Sequence, residues 1–340
     1  MNLEKKITFN DVLIKPNFST IDSRKDVDIS SSCGSLKLNF PVFSANMDTV
    51  TNPELAIAMY KFGAWGCLHR FSSIEKNLKA YNKVKQNKAD AIISIGLGAY
   101  EFERAKTLIE AGAKIICIDV AHGAQQAVVN QFNQLAKYNK DIDIIVGNFA
   151  TGESVKQFHK LCSREPLAFK IGIGGGSACL TRVQTACGIP QLSAVLDVVK
   201  QNPKINIISD GGKKNPGDVI KALAAGAKAV MLGSMLAGTD ESPGDIINGK
   251  FKKYRGSASQ ESYEDQGKVA DWRTFEGDSF LVPYKGSTES VLQNIEGGIR
   301  SAFSYVGARN LKEFQEKSEF ILISNASTIE NSAHGKTIRD

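Results

Sequence analysis

A (β/α)8 TIM barrel is the fold class that three features of this sequence predict: about eight short apolar runs, helix-length amphipathic segments between nearly all of them, and polar and glycine residues gathered where the runs end. The runs lie at 40–46, 64–68, 91–96, 115–120, 142–148, 168–174, 205–210 and 229–233. Apolar runs spaced by helices read as parallel strands, because a parallel pair needs a crossover long enough to hold a helix. A doubly wound open sheet is the competing arrangement. It would usually carry a Gly-x-Gly-x-x-Gly turn after its first strand, and 40–48 holds none.

Taken in order, the first run closes on Ser44, Asn46 and Asp48, and the second on His69 and Arg70. The third ends in Gly96 and Gly98, ahead of a helical segment at 101–111, and the fourth in Asp119, His122 and Gly123. Gly147 and Asn148 close the fifth, before a helix at 152–161. The sixth begins at Ala168 and passes through Lys170, Gly174, Gly175 and Gly176 to Ser177, Cys179 and Thr181, with a helix at 191–201 behind it. The seventh ends in Asp210, Gly211 and Gly212, after which Asn215-Pro216-Gly217-Asp218 reads as an N-cap, a proline at the first helical position and an acid in the first turn. Gly233 and Ser234 close the eighth. In a TIM barrel these carboxyl ends share one face, so the polar residues of separate loops converge on one mouth, which predicts an enzyme. Taken singly, each is also an ordinary turn residue.

Two stretches carry more specific chemistry. Glycines 174–176 let backbone groups approach a ligand closely, Ser177 offers a hydroxyl to phosphate oxygens, and Cys179 supplies the most nucleophilic side chain available near neutral pH. A cysteine buried after a Gly-rich turn is the plainer alternative. The loops after strands seven and eight both offer small residues and free N–H donors, the usual phosphate site of this barrel, so a phosphorylated ligand is expected. A polar excursion at 244–286, containing Tyr254, Ser257, Arg273 and Glu276, is too long for a plain connector and reads as a flap over the site. Residues 1–340 then form a single barrel domain with that flap.

Of the 340 residues, 42% are hydrophobic and 23% charged, as in soluble globular proteins. The net charge, 42 − 36 = +6, is spread without a basic tail, which favours small anionic ligands over nucleic acid. Six cysteines without a Cys-x-x-Cys pair point to a reduced, cytoplasmic chain. No apolar signal core follows Met1, and no stretch approaches the ~20 apolar residues that span a bilayer, so neither secretion nor a membrane is expected.

Gly172-Ile-Gly-Gly-Gly-Ser-Ala-Cys179-Leu-Thr181-Arg182, Ile208-Ser-Asp-Gly-Gly212, Val230-Met-Leu-Gly-Ser-Met-Leu-Ala-Gly238 and Tyr254-Arg-Gly256, in that order, make the chain resemble the IMP dehydrogenase and GMP reductase family. The likeness extends from Thr8-Phe-Asn-Asp-Val-Leu13 and Asn46-Met-Asp-Thr-Val50 to Gly297-Gly-Ile-Arg-Ser301. It implies a cysteine that attacks C2 of a purine nucleotide, a nicotinamide cofactor that exchanges hydride at that carbon, and a homotetramer. Between the branches, 71–89 is too short for the paired CBS module that dehydrogenases usually insert after the second strand. The segment 256–283 lacks their Arg-Tyr flap pair, whereas 271–277 followed by 282–286 looks like the reductase flap, whose glutamate pairs with the threonine after the nucleophile. Ser304-Tyr-Val-Gly-Ala308 with Leu311-Lys-Glu313 is also reductase-like, while 239–244 and 119–123 are closer to dehydrogenases. Gly175, Leu180 and Phe275 depart from the usual family residues.

The reductase resemblance implies NADPH-dependent reduction of GMP to IMP with release of ammonia. Cys179 is then the nucleophile, with Thr181 and Glu276 acting on the leaving amine. Asp210 holds the ribose; Ser177, Gly212, Gly233, Ser234 and Tyr254 hold the phosphate; Arg273 and Ser257 contact the base; and Ser44 and Gly211 complete the substrate set. Asp119, Asn148 and Lys170 face the cofactor, and Ser304 with Tyr305 reach a neighbouring subunit's adenosine. Backbone carbonyls of Gly174, Gly176 and Cys179 are the expected ligands of a monovalent cation such as K+. A dehydrogenase without the CBS module, converting IMP to xanthosine monophosphate with NAD, is the second reading, and a silent nucleotide sensor the third.

Overall fold

The computed structural model describes residues 3–267, 274–324, 326–327 and 330–331. Eight parallel strands run β1 (Val42–Ser44), β2 (Gly66–Leu68), β3 (Ala91–Ile95), β4 (Ile115–Asp119), β5 (Asp143–Phe149), β6 (Ala168–Ile171), β7 (Ile207–Asp210) and β8 (Ala229–Leu232). From β2 to β8 each pairs with the next, and β8 pairs with β1. The ring closes where Ser44 N–H donates to Trp65 O (3.0 Å) and Trp65 N–H to Val42 O (3.1 Å), just ahead of β2. The expected (β/α)8 TIM barrel is therefore observed.

Strand periodicity sorts the core into two shells. Phe43, Cys67, Ile92, Cys117, Ile145, Ala168, Ile208 and Met231 form one buried cluster that fills the barrel, while their neighbours Val42, Leu68, Ile93, Ile116, Ile144, Phe169, Ile207 and Val230 join the larger cluster beneath the helices. Side chains of successive strand residues point to opposite faces, so this alternation is obligatory. A hairpin, Ser31–Cys33 with Leu36–Leu38, adds Cys33, Leu36 and Leu38 to the inner cluster. Full burial of each large apolar side chain is worth about 1.5–3 kcal/mol, so both shells stabilise the barrel.

The helices begin where capping chemistry predicts. Asn215 Oδ1 accepts from Asp218 N–H (3.0 Å), Pro216 opens the helix Pro216–Ala224, and helices Gly152–Leu161 and Gln191–Gln201 occupy the expected segments. The apolar run 168–174 is overlong as a strand: β6 stops at Ile171, because Gly172 (φ 147°) and Gly174 (φ 80°) leave the extended region. Only the helix Ile74–Gln86 lies between β2 and β3. Not foreseen were a short helix, Thr181–Thr185, directly after Cys179, and an antiparallel pair joining Val12–Ile14 to Phe320–Leu322. The flap is built on an antiparallel pair, Phe251–Arg255 against Pro283 to Ser279 of the strand Ser279–Pro283, with a helix Gln260–Asp265 in the segment between them.

Candidate active site

A cavity of about 450 Å3 opens at the carboxyl ends of the strands. Asn46 and Met47 after β1, Arg70 and Phe71 after β2, Asp119 on β4, Asn148 on β5, Lys170 on β6 and Asp210 on β7 all reach it. Glycines 174–176, Cys179 and Thr181 form one wall, and Tyr254, Ser257, Tyr263, Gln266 and Glu276 of the flap form the other.

Its floor is a buried charge relay. Lys170, Asp119 and Asp210 occupy inward positions of three different strands, so strand parity alone brings them to the axis. Lys170 Nζ lies 2.6 Å from Asp119 Oδ1 and 3.1 Å from Asp210 Oδ2, and Asn148 Nδ2 donates to Asp210 Oδ2 (2.8 Å) and Gly172 O (2.8 Å). Burial works against the Lys170 ammonium, but the two carboxylates override it and hold its pKa well above the ordinary lysine value. Burial likewise opposes the Asp210 charge, and Lys170 with Asn148 still depresses its carboxyl below the usual range. Gly147 makes the room: a Cβ there would sit 2.4 Å from Lys170 Cβ.

Lys213 follows the same loop and is a different case. Its Nζ donates to Ser209 O (2.7 Å) and Ser209 Oγ (3.1 Å), both uncharged, so burial dominates over Asp210 and Asp218 and pulls its pKa down to about 7. Because the unfolded lysine titrates near 10.5, the unfolded chain binds more protons between those values, and this group's contribution to stability rises with pH from about 7 to 10.5. Lys213→Met is therefore expected to raise Tm relative to the parent at pH 6, with the gain shrinking as the pH approaches 10. A gain that does not change with pH would contradict this.

Cys179 stands between two hydrogen-bonded partners. Its Sγ donates to Thr181 Oγ1 (3.1 Å) and its N–H to Gly176 O (3.1 Å). A flap strand runs antiparallel to this loop: Leu180 N–H donates to Glu276 O (2.8 Å) and Asp278 N–H to Ala178 O (2.9 Å), which sets Gly277 opposite Cys179. The register places Glu276 on the wall of the cavity that Cys179 also lines. At the rim, Ser177 Oγ and Ser234 Oγ are 2.9 Å apart, joining the loops after β6 and β8. Tyr254 is buried, and its pKa is raised by burial first and then by the negative charge of Asp210, so it stays a neutral phenol able to donate.

The IMP dehydrogenase / GMP reductase domain model matches residues 6–334. The chain belongs to that family. Relatives include the GMP reductase of Buchnera aphidicola subsp. Acyrthosiphon pisum (strain Tuc7), 38% identical across 94% of this chain and 95% of that protein. The GMP reductase of Phytophthora infestans is 40% identical across 94% of this chain and 91% of its own, and GMP reductase 2 of Homo sapiens is 38% identical across 94% of each.

Within this family member the structure gathers most, not all, of the residues singled out from sequence. Cys179, Thr181, Glu276, Asp210, Gly211, Tyr254, Ser257, Asp119, Asn148, Lys170, Gly174 and Gly176 line the cavity. Ser177 and Ser234 meet each other at its edge. Ser44 is placed elsewhere: it points out of the barrel, fully buried, accepting from Thr51 Oγ1 (2.8 Å) and Cys67 N–H (3.3 Å). Ser304 and Tyr305 sit on the outer helix Thr288–Val306, where Tyr305 is exposed and accepts at its hydroxyl from Arg24 (3.3 Å), away from this chain's own cavity. Arg273 lies outside the described residues.

Sequence reasoning assigned no role to Arg70 and Phe71. The Arg70 guanidinium lies 4.8 Å from the Phe71 ring centroid, and its Nε is buried with no protein partner among the described residues, a donor left for a ligand. Their place two and three residues beyond β2 was the available signal. Arg255 was also missed: it holds Asp48 Oδ2 through Nε (3.1 Å) and Nη2 (2.5 Å) and Asp265 through Nη1 (2.7 Å), clamping the flap root to the loop after β1.

Proposed function

We propose that this chain reduces GMP to IMP, releasing ammonia and consuming NADPH. The observation that carries the reading is the antiparallel register of 276–278 on 178–180, which assembles a thiol, a hydroxyl and a carboxyl group in one cavity. Such a set has the groups that amine expulsion demands: a nucleophile for C2 and acids for a leaving group that cannot depart as an anion. The curated relatives named GMP reductase support the same assignment.

Sulfur of Cys179 adds to C2 of the purine, the C2=N3 electron pair moving onto N3, and the thiol proton, which points at Thr181 Oγ1, passes through that hydroxyl toward the exocyclic amine, so that C2=N3 re-forms as the amine leaves. Glu276 and Thr181 deliver that proton to the exocyclic amine, which leaves as ammonia. NADPH, when bound, would supply hydride to C2, and Cys179 would then depart as a thiolate that regains its proton from solvent. Asp210 holds the ribose hydroxyls as an ionised acceptor, kept so by Lys170 and Asn148. Asp119, Asn148 and the free Arg70 donor give the cofactor's riboside and phosphates polar partners, and the cavity beside Cys179 has the chemistry to take them. In a homotetramer, Ser304 and Tyr305 of a neighbouring copy would offer hydroxyls to the cofactor's adenosine. Six unpaired cysteines accord with a cytoplasmic enzyme, and no described helix is long and apolar enough to cross a membrane.

A monovalent cation such as K+ is held by the carbonyls of Gly174, Gly176 and Cys179. Arg182 lies against the same loop, its guanidinium donating to Ile189 O, so the cation shares that loop with an in-chain positive charge. Exchange of K+ for tetramethylammonium is expected to slow turnover, and an unchanged rate would remove the cation from the scheme.

The nucleotide's phosphate binds to N–H donors after β7 and β8. Guanosine is therefore expected to bind far more weakly than GMP. Gly233→Val places new atoms where a Cβ already lies 3.0 Å from Tyr254 Oη, and it should weaken GMP by about tenfold or more. Equal calorimetric affinities for guanosine and GMP would refute this phosphate site. The function itself is tested by following reduced-nicotinamide absorbance with GMP plus NADPH against IMP plus NAD. Ammonia and IMP in equal amounts support the reductase, whereas xanthosine monophosphate with no NADPH oxidation promotes the dehydrogenase.

A further inference from the structure

At the root of the flap, one residue beyond the strand Ser279–Pro283 and Tyr284, a single ammonium is enclosed by backbone. Lys285 Nζ donates to Ser234 O, to Met235 O (3.3 Å) and to Ala237 O (2.7 Å). These carbonyls belong to one helical turn after β8, in which Leu236 N–H and Ala237 N–H both return to Gly233 O (2.9 Å each). The opposite end of that turn presents Gly233 and the Ser234 hydroxyl, the latter 2.9 Å from Ser177 Oγ. Carbonyls at the end of a helical turn carry partial negative charge and attract a cation, while its first N–H groups attract an anion.

We propose that Lys285 is a positioning residue for the nucleotide phosphate: its ammonium locks the 233–237 turn in its anion-receiving shape and ties that turn to the flap. This rests on the reading of the 233–234 loop as the phosphate site. The partners are carbonyl dipoles rather than a carboxylate, and burial alone draws the Lys285 pKa down to about 8. The side chain is thus placed at the expense of its own hydration, against groups that one shape of the turn makes converge. The backbone of the same segment is separately anchored, with Lys285 N–H on Gly238 O (2.9 Å) and Asp240 N–H on Gly286 O (2.9 Å), so losing the ammonium does not by itself detach the flap. Tyr254 lies on the companion strand, where it pairs with Phe280, and its hydroxyl faces Gly233. One ammonium thereby joins both walls of the phosphate site.

The test is equilibrium binding of GMP and guanosine to the full chain, wild type against Lys285→Ala and Lys285→Arg, with thermal melting as a control for folding. Lys285→Ala is expected to lose about tenfold in GMP affinity while guanosine affinity stays within about twofold. Ethylammonium is expected to restore GMP binding to the alanine variant by occupying the space among the three carbonyls, with no such gain for wild type. Lys285→Arg should retain most of the affinity. Unchanged GMP affinity in Lys285→Ala, or equal losses for GMP and guanosine with no rescue by the amine, would overturn the proposal. If the alanine variant fails to fold, Lys285→Met, which keeps the apolar stem, decides by the same GMP-to-guanosine comparison. A wild-type chain that binds GMP but does not reduce it would sink the reductase reading alone, because binding rather than turnover is measured here.

Discussion

Replacing Cys179 with alanine is expected to lower turnover by at least about three orders of magnitude while leaving nucleotide binding within a few-fold of wild type. The side chain is only partly buried, and its Sγ hydrogen bond goes to Thr181 Oγ1, whose hydroxyl can turn to the nucleotide or solvent, so alanine leaves little behind to destabilise the fold. The remaining cysteines provide an internal contrast. Burial pushes the Cys33 thiol up to about 12 and Cys162 upward as well, and a hydrogen bond with Cys67 together with burial holds Cys117 well above its ordinary value, so these sulfurs are poor nucleophiles near neutral pH. Steady-state rates with GMP and NADPH, paired with calorimetric binding of GMP, check the prediction. Near-normal turnover by the alanine variant would remove Cys179 from the mechanism.

Glu276→Gln is expected to abolish ammonia release while GMP still binds. Glutamine keeps the size and the backbone of Glu276, whose carbonyl holds Leu180 N–H (2.8 Å), so the register of flap on catalytic loop survives and only proton delivery is lost. A general acid contributes about 10²–10⁴-fold, and a comparable fall in kcat is the expected size. If the leaving amine goes without its proton donor, the first cysteine adduct should accumulate, visible as a mass increase on the protein after quenching with GMP. Full ammonia release by the glutamine variant would assign the acid role elsewhere, with Thr181 next to be tested.

The reach of the sequence is best judged on particular residues. Cys179 and Thr181 are two positions apart at the end of one strand, so their proximity was readable, and the structure adds the 3.1 Å hydrogen bond. The Asn215 cap was readable too, since its partner lies three residues away. Ser44 illustrates a local rule not applied: Phe43 points into the barrel, so its neighbour must point out, toward Thr51 rather than the cavity. Lys285 carried no local sign of its role, because its ammonium sits among carbonyls of a distant turn, and Lys213 carried none because its depressed pKa comes from burial and not from its nearby partner Ser209.

The sequence by itself determined the eight strands, their parallel arrangement, the glycine turns after them and the family, because strand alternation, caps and turn residues act over a few neighbours in the chain. Tertiary structure alone decided that β8 meets β1, that Lys170 sits between Asp119 and Asp210, and that Glu276 lines the same cavity as a cysteine 97 positions earlier (276 − 179). Those meetings are set by ring closure and by backbone hydrogen bonds between distant segments, whose partners no local pattern names.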